Sequence, residues 1–128
     1  MENMTAIATY TAVPEPQAAA PQKYHDPHLE VDFTREQVSL DSRDLVLTKK
    51  EYELLALLVR NAGEIVSRDT LLWRVWGYSR EIRTRTLDVH IRRLRKKLGV
   101  YADPAIETIF GVGYRFQPFR QRVYSAVA

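Results

Sequence analysis

The sequence predicts an α+β domain in which an antiparallel β-sheet comes first, three helices follow and a β-hairpin closes the chain. Two changes of apolar period carry that prediction. Alternation at every second residue from Leu29 gives way to a helical period at Thr48, and alternation returns after Gly99. A third observation is the quality of the helix start and stop signals between those points.

Residues 1 to 27 precede the pattern. They are rich in Ala, Pro, Thr and Gln, with Pro14, Pro16, Pro21 and Pro27, and read as a disordered tail or an interdomain linker. His25-Asp26-Pro27-His28 offers two imidazoles and a carboxylate, too few ligands for a metal site in a Pro-broken stretch. The domain proper is expected over residues 28 to 118. Leu29, Val31 and Phe33, then Val38 and Leu40, then Leu45 and Leu47 alternate with polar residues around the turn Asp41-Ser42-Arg43-Asp44, as short antiparallel strands do.

Thr48 and Glu51 form a capping box, and Leu47 with Tyr52 is placed as its hydrophobic staple. Leu54, Leu55, Leu58 and Ala62 give this helix its core side, and Gly63 a left-handed stop. Glu64-Ile65-Val66 reads as extended. Ser67 caps a second helix with Asp69 in its first turn, Leu71, Leu72, Val75 and Trp76 on its inner side, and Gly77 at its end. Tyr78 to Arg83 is a polar loop, longer than a simple helix-turn-helix connection.

The stretch Thr84 to Leu98, TRTLDVHIRRLRKKL, has two faces. At roughly 100° per residue, Leu87, Ile91, Leu94 and Leu98 form one apolar stripe, while Arg85, Val89, Arg92 and Lys96 cluster opposite with Arg93 beside them. Asp88 and Arg92 stand at i, i+4 and are expected to pair. Residues 80 to 97 hold eight basic side chains against two carboxylates, a net +6, so the total of +3 leaves the remainder at −3. One positive helix on an otherwise acidic chain is the electrostatic footprint of a nucleic-acid binder.

Gly99 ends that helix, and Tyr101-Ala102-Asp103-Pro104 reads as a turn. Ile106 to Ile109 and Tyr114 to Phe116 then alternate around Phe110-Gly111-Val112-Gly113, a hairpin with left-handed positions at its glycines. Residues 119 to 128 are expected to be a C-terminal tail.

This order of elements is that of a winged helix-turn-helix, the hairpin being its wing. Leu-Thr-x-x-Glu at 47 to 51, Val-Ser-Arg at 66 to 68, Val-Trp-Gly at 75 to 77, the run from Arg85 to Lys96, and Gly-Val-Gly-Tyr-Arg-Phe at 111 to 116 closely resemble the OmpR/PhoB response-regulator effector domain. The resemblance covers roughly residues 29 to 118. It implies a sequence-specific transcription regulator of a bacterial two-component phosphorelay, with double-stranded DNA as partner and the 84–98 helix in the major groove.

Carried onto this chain, it assigns base and phosphate contacts to Arg85, Val89, His90, Arg92, Arg93, Arg95 and Lys96, with Trp76 and Thr108 holding the DNA backbone. Tyr78, Ser79, Arg80, Glu81, Ile82 and Arg83 would be the loop that touches RNA polymerase, and head-to-tail dimers on direct repeats are expected. Lys49 stands where the family often has proline, at the first helical position, which any good helix former suits. Phe110 stands where an arginine commonly precedes Gly-x-Gly-Tyr, so the wing contact is expected to be packing or a sugar contact instead of a minor-groove arginine.

Arginine suits this face because its planar fork meets O6 and N7 of guanine, or two phosphate oxygens, in bidentate fashion. Val89 among arginines suits a thymine methyl, the alternative being an incidentally exposed valine. A second use of the same fold is a protein-interaction module that docks polymerase or another acidic partner. Enzymatic activity is not expected: the sequence has no cysteine, no phosphate loop and no Ser-His-Asp constellation, and neither cofactor, metal nor small-molecule substrate is called for. No apolar run approaches a membrane span and no signal peptide is present, so a cytoplasmic location is expected. Nothing in the sequence resembles the acidic phosphoacceptor pocket of a receiver domain. The chain therefore reads as an isolated output segment or a stand-alone regulator.

Overall fold

A computed structural model describes residues 22–120. Four short strands, β1 (Lys23–His25), β2 (Leu29–Asp32), β3 (Gln37–Leu40) and β4 (Arg43–Asp44), form an antiparallel sheet in sequence order. Helix α1 spans Lys49–Arg60. Strand β5 (Ile65–Ser67) leads into α2 (Arg68–Leu71), which widens into a π-helical turn over Leu72–Trp76. Helix α3 (Thr86–Leu98) is followed by a single 3₁₀ turn and the short helix α4 (Ala102–Ala105), and the chain closes with β6 (Ile106–Ile109) and β7 (Gly113–Phe116). Strand β7 lies between β5 and β6, pairing Val66 with Tyr114 on one side and Thr108 with Tyr114 on the other. The α+β architecture read from the period changes is the one observed.

The caps act as their residues require. Thr48 Oγ1 accepts from the Glu51 amide at 3.2 Å while Glu51 Oε1 accepts from the Thr48 amide at 2.9 Å, completing the capping box. Ser67 Oγ accepts from the Thr70 amide at 3.1 Å, and Gly77 ends the second helix at φ +75°, where a Cβ would be strained. The α1 stripe Leu54, Leu55 and Leu58 meets Leu87, Ile91, Leu94 and Leu98 of α3, and Leu29, Val31, Ile106 and Phe116 close the core from the two sheets.

The structure corrects the sequence reading at several points. Arg43–Asp44, read as part of the turn, is strand β4, whereas Leu45 and Leu47 lie outside any strand; of the two wing glycines only Gly111 takes a positive φ. Of the expected tail over 1–27, residues 1–21 lie outside the described residues, but Lys23–His25 is an outer strand in register with Glu30–Asp32. Three residues are too few for alternation to be visible, and Tyr24 holds the strand by setting its ring edge-on to Phe116 at 5.6 Å. The third helix begins at Thr86 and not Thr84: Thr84 Oγ1 accepts from the Thr86 amide at 3.0 Å, and Arg85 is the residue just outside. Tyr101 to Pro104, read as a turn, belongs to the 3₁₀ turn and α4. Of the tail over 119–128, residues 121–128 lie outside the described residues, whereas Phe119 packs edge-on to His28 and Tyr101 and its amide donates to Asp26 at 3.2 Å.

Candidate nucleic-acid interface

Helix α3 is fixed by its inner stripe, where Leu87, Ile91, Leu94 and Leu98 are all 2% exposed or less. That anchoring turns Arg92, Arg93 and Lys96 to solvent, with Arg85 exposed just ahead of the first turn. None of the ion pairs among the described residues uses any of these four. Free, hydrated guanidinium groups along one ridge can release counterions on meeting a polyanion, and their forks can still take bidentate partners. Val89 lies among them half-buried.

Asp88 does not pair with Arg92. Its Oδ1 accepts from Arg68 Nη1 at 2.7 Å, and the Tyr114 hydroxyl donates to the same oxygen at 3.4 Å, so the carboxylate joins α3 to α2 and the wing. The bond to Asp88 holds the Arg68 guanidinium above its ordinary pKa, and burial pushes the Tyr114 phenol up. Arg92 is left without an ion-pair partner among the described residues.

Arg95 projects differently from its neighbours. Its Nη2 donates to the Ile106 carbonyl at 2.9 Å and to Thr108 Oγ1 at 2.7 Å, with the guanidinium 5.8 Å from the Tyr114 ring centroid. Its Nε is buried without a hydrogen-bond partner among the described residues. The side chain thus ties the recognition face to strand β6, and Thr108 is half-buried with its hydroxyl engaged. His90 Nδ1 lies 2.9 Å from the Thr86 carbonyl and its ring meets Trp76 edge-on at 4.9 Å. With Nδ1 donating to that carbonyl, Nε2 is left as the acceptor.

Sequence reasoning missed the tie at the far end of α3. Lys97 Nζ lies 2.6 Å from Oε1 of Glu51, which is 2% exposed. Burial pushes the Glu51 carboxyl up, but the Lys97 ammonium and the Thr48 amide together outweigh it and hold it below the usual carboxylate range. Glu51 was legible as a cap, and nothing in the sequence marked its second partner 46 residues away.

The loop after α2 is shaped by its own bonds. The Ile82 amide donates to the Ser79 carbonyl at 3.0 Å and Arg80 reaches Asp69 at 3.5 Å, while Tyr78 packs on the core. Ser79, Glu81 and Arg83 are exposed, as is Ile82 at 48%, and Trp73 on the preceding helical turn is 60% exposed. In the wing, Phe110 is 90% exposed. It lines, with Arg68, Asp88, Thr108 and Tyr114, a cleft of ≈ 240 Å³ between the start of α3 and the hairpin. No helix among the described residues is long and apolar enough to cross a membrane.

Residues 42–116 match the family described as transcriptional regulatory protein, C terminal. The response regulator ArlR of Staphylococcus saprophyticus is 45% identical over 85 residues, which is 66% of this chain and 39% of that protein, so the chain spans well under half of that relative's length. The Klebsiella pneumoniae RstA DNA-binding domain, solved in complex with the RstA box, superposes with a TM-score of 0.71 at 32% identity over 77% of this chain and 100% of that one. DrrB of Thermotoga maritima, an OmpR/PhoB homologue, gives 0.68 at 36% identity over 75% of this chain and 44% of that one. Family match, fold and helix–wing geometry agree, and the chain belongs to the effector domains of OmpR/PhoB-type response regulators.

Proposed function

We propose that this chain binds double-stranded DNA sequence-specifically, as the output domain of a two-component transcriptional regulator, with α3 in the major groove. The observation that carries the reading is the ridge of Arg92, Arg93 and Lys96, with Arg85 just ahead of it, exposed and in no ion pair among the described residues, on a helix whose other face is core. Arg92 and Arg93, near the middle of α3, contact base edges; Arg85, Lys96 and Trp76 grip phosphate; Val89 meets a thymine methyl. His90, its ring held against Trp76, offers Nε2 as an acceptor at the groove rim. Arg95 and Thr108 act together as the brace that sets the wing relative to the helix.

Selection of bound sequences from a random duplex pool tests this directly and yields half-site spacing and stoichiometry, which also tests head-to-tail pairing on direct repeats. With about six phosphate contacts, log affinity falls against log salt with a slope of about −5. A pool that never enriches, and a mobility shift absent even at low salt, would sink the reading.

The exposed apolar pair Trp73 and Ile82 supports a protein contact on the same domain, with Tyr78 to Arg83 as the polymerase-touching loop. Substituting Ile82 by Ser leaves DNA affinity unchanged and lowers transcription from a reconstituted promoter. The reading places the protein with its DNA in the bacterial cytoplasm and gives it no catalytic role.

A further inference from the structure

Helix α2 runs into its π turn and stops there. The amides that close the turn, Gly77 and Tyr78, donate to the Trp73 carbonyl at 2.8 Å and the Leu72 carbonyl at 3.2 Å. The carbonyls beyond these stand at a helix C-terminus, where no further helical amide reaches them. The Val75 carbonyl is taken instead by a side chain of another element: Lys50 Nζ, in the first turn of α1, donates to it at 2.8 Å. A cation suits that place, the negative end of a helix dipole. The same ammonium donates to Glu53 Oε1 at 3.2 Å, and Glu53 Oε2 pairs with Lys49 at 3.2 Å.

The oxygen Lys50 holds belongs to the peptide that joins Val75 to Trp76. That unit is planar, so a hold on its oxygen is also a hold on the nitrogen of Trp76. Trp76 is half-buried against the core and sets its ring edge-on to His90 at 4.9 Å, while His90 Nδ1 lies 2.9 Å from the Thr86 carbonyl at the start of α3. One chain of contacts thus runs from α1 through the π turn to the outer side of α3. Wide turns of this kind are rare and concentrate at functional sites. The ammonium itself is committed to the fold: two of its three N–H groups are used there, and Glu53 balances its charge.

We propose that Lys50 is a positioning residue for duplex recognition, whose hold on the Val75 carbonyl sets the π turn and so aims the Trp76 indole at the DNA backbone beside α3. The proposal rests on the duplex-binding reading above and deepens it, adding a residue from a helix that otherwise serves as scaffold. With the carbonyl released, the π turn relaxes toward the narrower α-helical repeat, the Val75–Trp76 peptide rotates and the indole leaves His90. Its N–H then no longer meets a phosphate oxygen. The indole is a neutral donor, so its loss weakens binding without removing a contact that releases a counterion.

The test uses this chain, a duplex recovered by selection and the variant Lys50→Met, which keeps the aliphatic stem and removes the ammonium. Anisotropy gives affinity over about 50 to 200 mM salt, and NMR of the free chain follows the Trp76 indole N–H resonance and its nuclear Overhauser contact with the His90 ring. Lys50→Met shifts that resonance, loses the contact and weakens binding about fivefold, with the salt slope of the wild type. Lys50→Arg, whose guanidinium also donates to a carbonyl, restores resonance, contact and affinity. In a Trp76→Ala background Lys50→Met costs no further affinity, because the two act through one ring. Wild-type affinity from Lys50→Met, whatever its melting temperature, reduces Lys50 to a stabiliser of the fold and overturns the proposal. A flattened salt slope makes it a phosphate contact and overturns it too, as does a full fivefold loss in the Trp76→Ala background. Those outcomes leave duplex binding standing, whereas a wild-type chain with no affinity for any duplex brings down the function and the proposal together.

Discussion

The first turn of α3 and the tip of the wing line one cleft, yet the outer face of that helix and the wing tip present opposite chemistry. The outer ridge of the helix offers cations that have no ion-pair partner among the described residues; the wing pairs its charges internally and offers a phenyl ring. Charge acts over a Debye length of roughly 8–10 Å and speaks to any phosphate backbone, whereas an apolar tip acts only in contact and responds to shape. On the proposed duplex-binding reading, the contrast separates long-range attraction, on the helix, from a surface that acts only in contact, on the hairpin. It also requires the two to be held in fixed relation, which is the work of Arg95, Asp88 and Gly113.

The most damaging single change to that relation is Gly113→Ala. The added Cβ would lie 2.0 Å from the Val66 carbonyl oxygen and 2.8 Å from Ser67 Cα, both backbone atoms that cannot swing aside. Strand β7 must part from β5, at a cost of about 3 kcal/mol or more, and thermal unfolding monitored by circular dichroism shifts down on the order of 10 °C or more. An unchanged melting temperature would show that β7 slides freely, and that the wing is not rigidly presented.

Next in size is the tie at the other end of α3. Removing the cation by Lys97→Met leaves the buried Glu51 carboxylate with only the Thr48 amide, a loss of about 1 to 3 kcal/mol. The same carboxylate gives the fold an acid limb. Because Glu51 in the folded chain lies below its ordinary value of 4.5, its contribution is complete above that value and is lost as pH falls through the lower folded value. Glu51→Gln therefore lowers stability at neutral pH and flattens its decline below about pH 4.5; urea midpoints measured across that range decide it. A decline as steep as in the wild type would assign the acid limb to other carboxylates.

These ties were the least legible part of the sequence. Caps, stripes and turns are local, and Thr48-Glu51, Ser67, Gly77 and the leucines of α3 announced themselves through spacing alone. The partner of Asp88 is not a local property: i, i+4 spacing pointed to Arg92, but the tertiary fold brings Arg68 closer, and Arg92 has no ion-pair partner among the described residues. Arg95 sits in an arginine-rich run that reads as one basic patch, and only the position of β6 turns its guanidinium inward. Strand β1 failed the periodicity test because three residues carry no period, and its evidence lies in Tyr24 meeting Phe116 at the other end of the chain. The candidate site was thus visible as a helix with a face, and invisible as a braced pair.

A smaller effect sharpens the contrast between neighbours in α3. Arg93→Ala loses about 1 to 3 kcal/mol on the cognate duplex and little on a scrambled one, and leaves the melting temperature unchanged because the side chain is exposed and in no ion pair among the described residues. Arg95→Met reverses the pattern, lowering the melting temperature by breaking the bonds to Ile106 and Thr108 while weakening all duplexes alike. If both variants lose specificity and neither loses stability, Arg95 is a base reader and the brace is not needed.

The smallest expected change is the one that sets the two regions against each other. Asp88 and Arg68 are 43% and 37% exposed as side chains, so their pair contributes less than about 1 kcal/mol to stability. Asp88→Asn keeps the shape and an acceptor for Arg68, so the melting temperature falls by only a few degrees at most. It also deletes the one negative charge in the first turn of α3, at the mouth of the cleft where phosphates would approach. Duplex affinity therefore rises a few-fold at low salt, for cognate and scrambled sequences alike, while the loosened contact between Arg68 and the wing shows as faster amide exchange at Arg68, whose N–H is bonded to Val112. A fall in affinity instead would mean that the position of the wing matters more than the repulsion, and that the carboxylate is retained for the geometry it imposes.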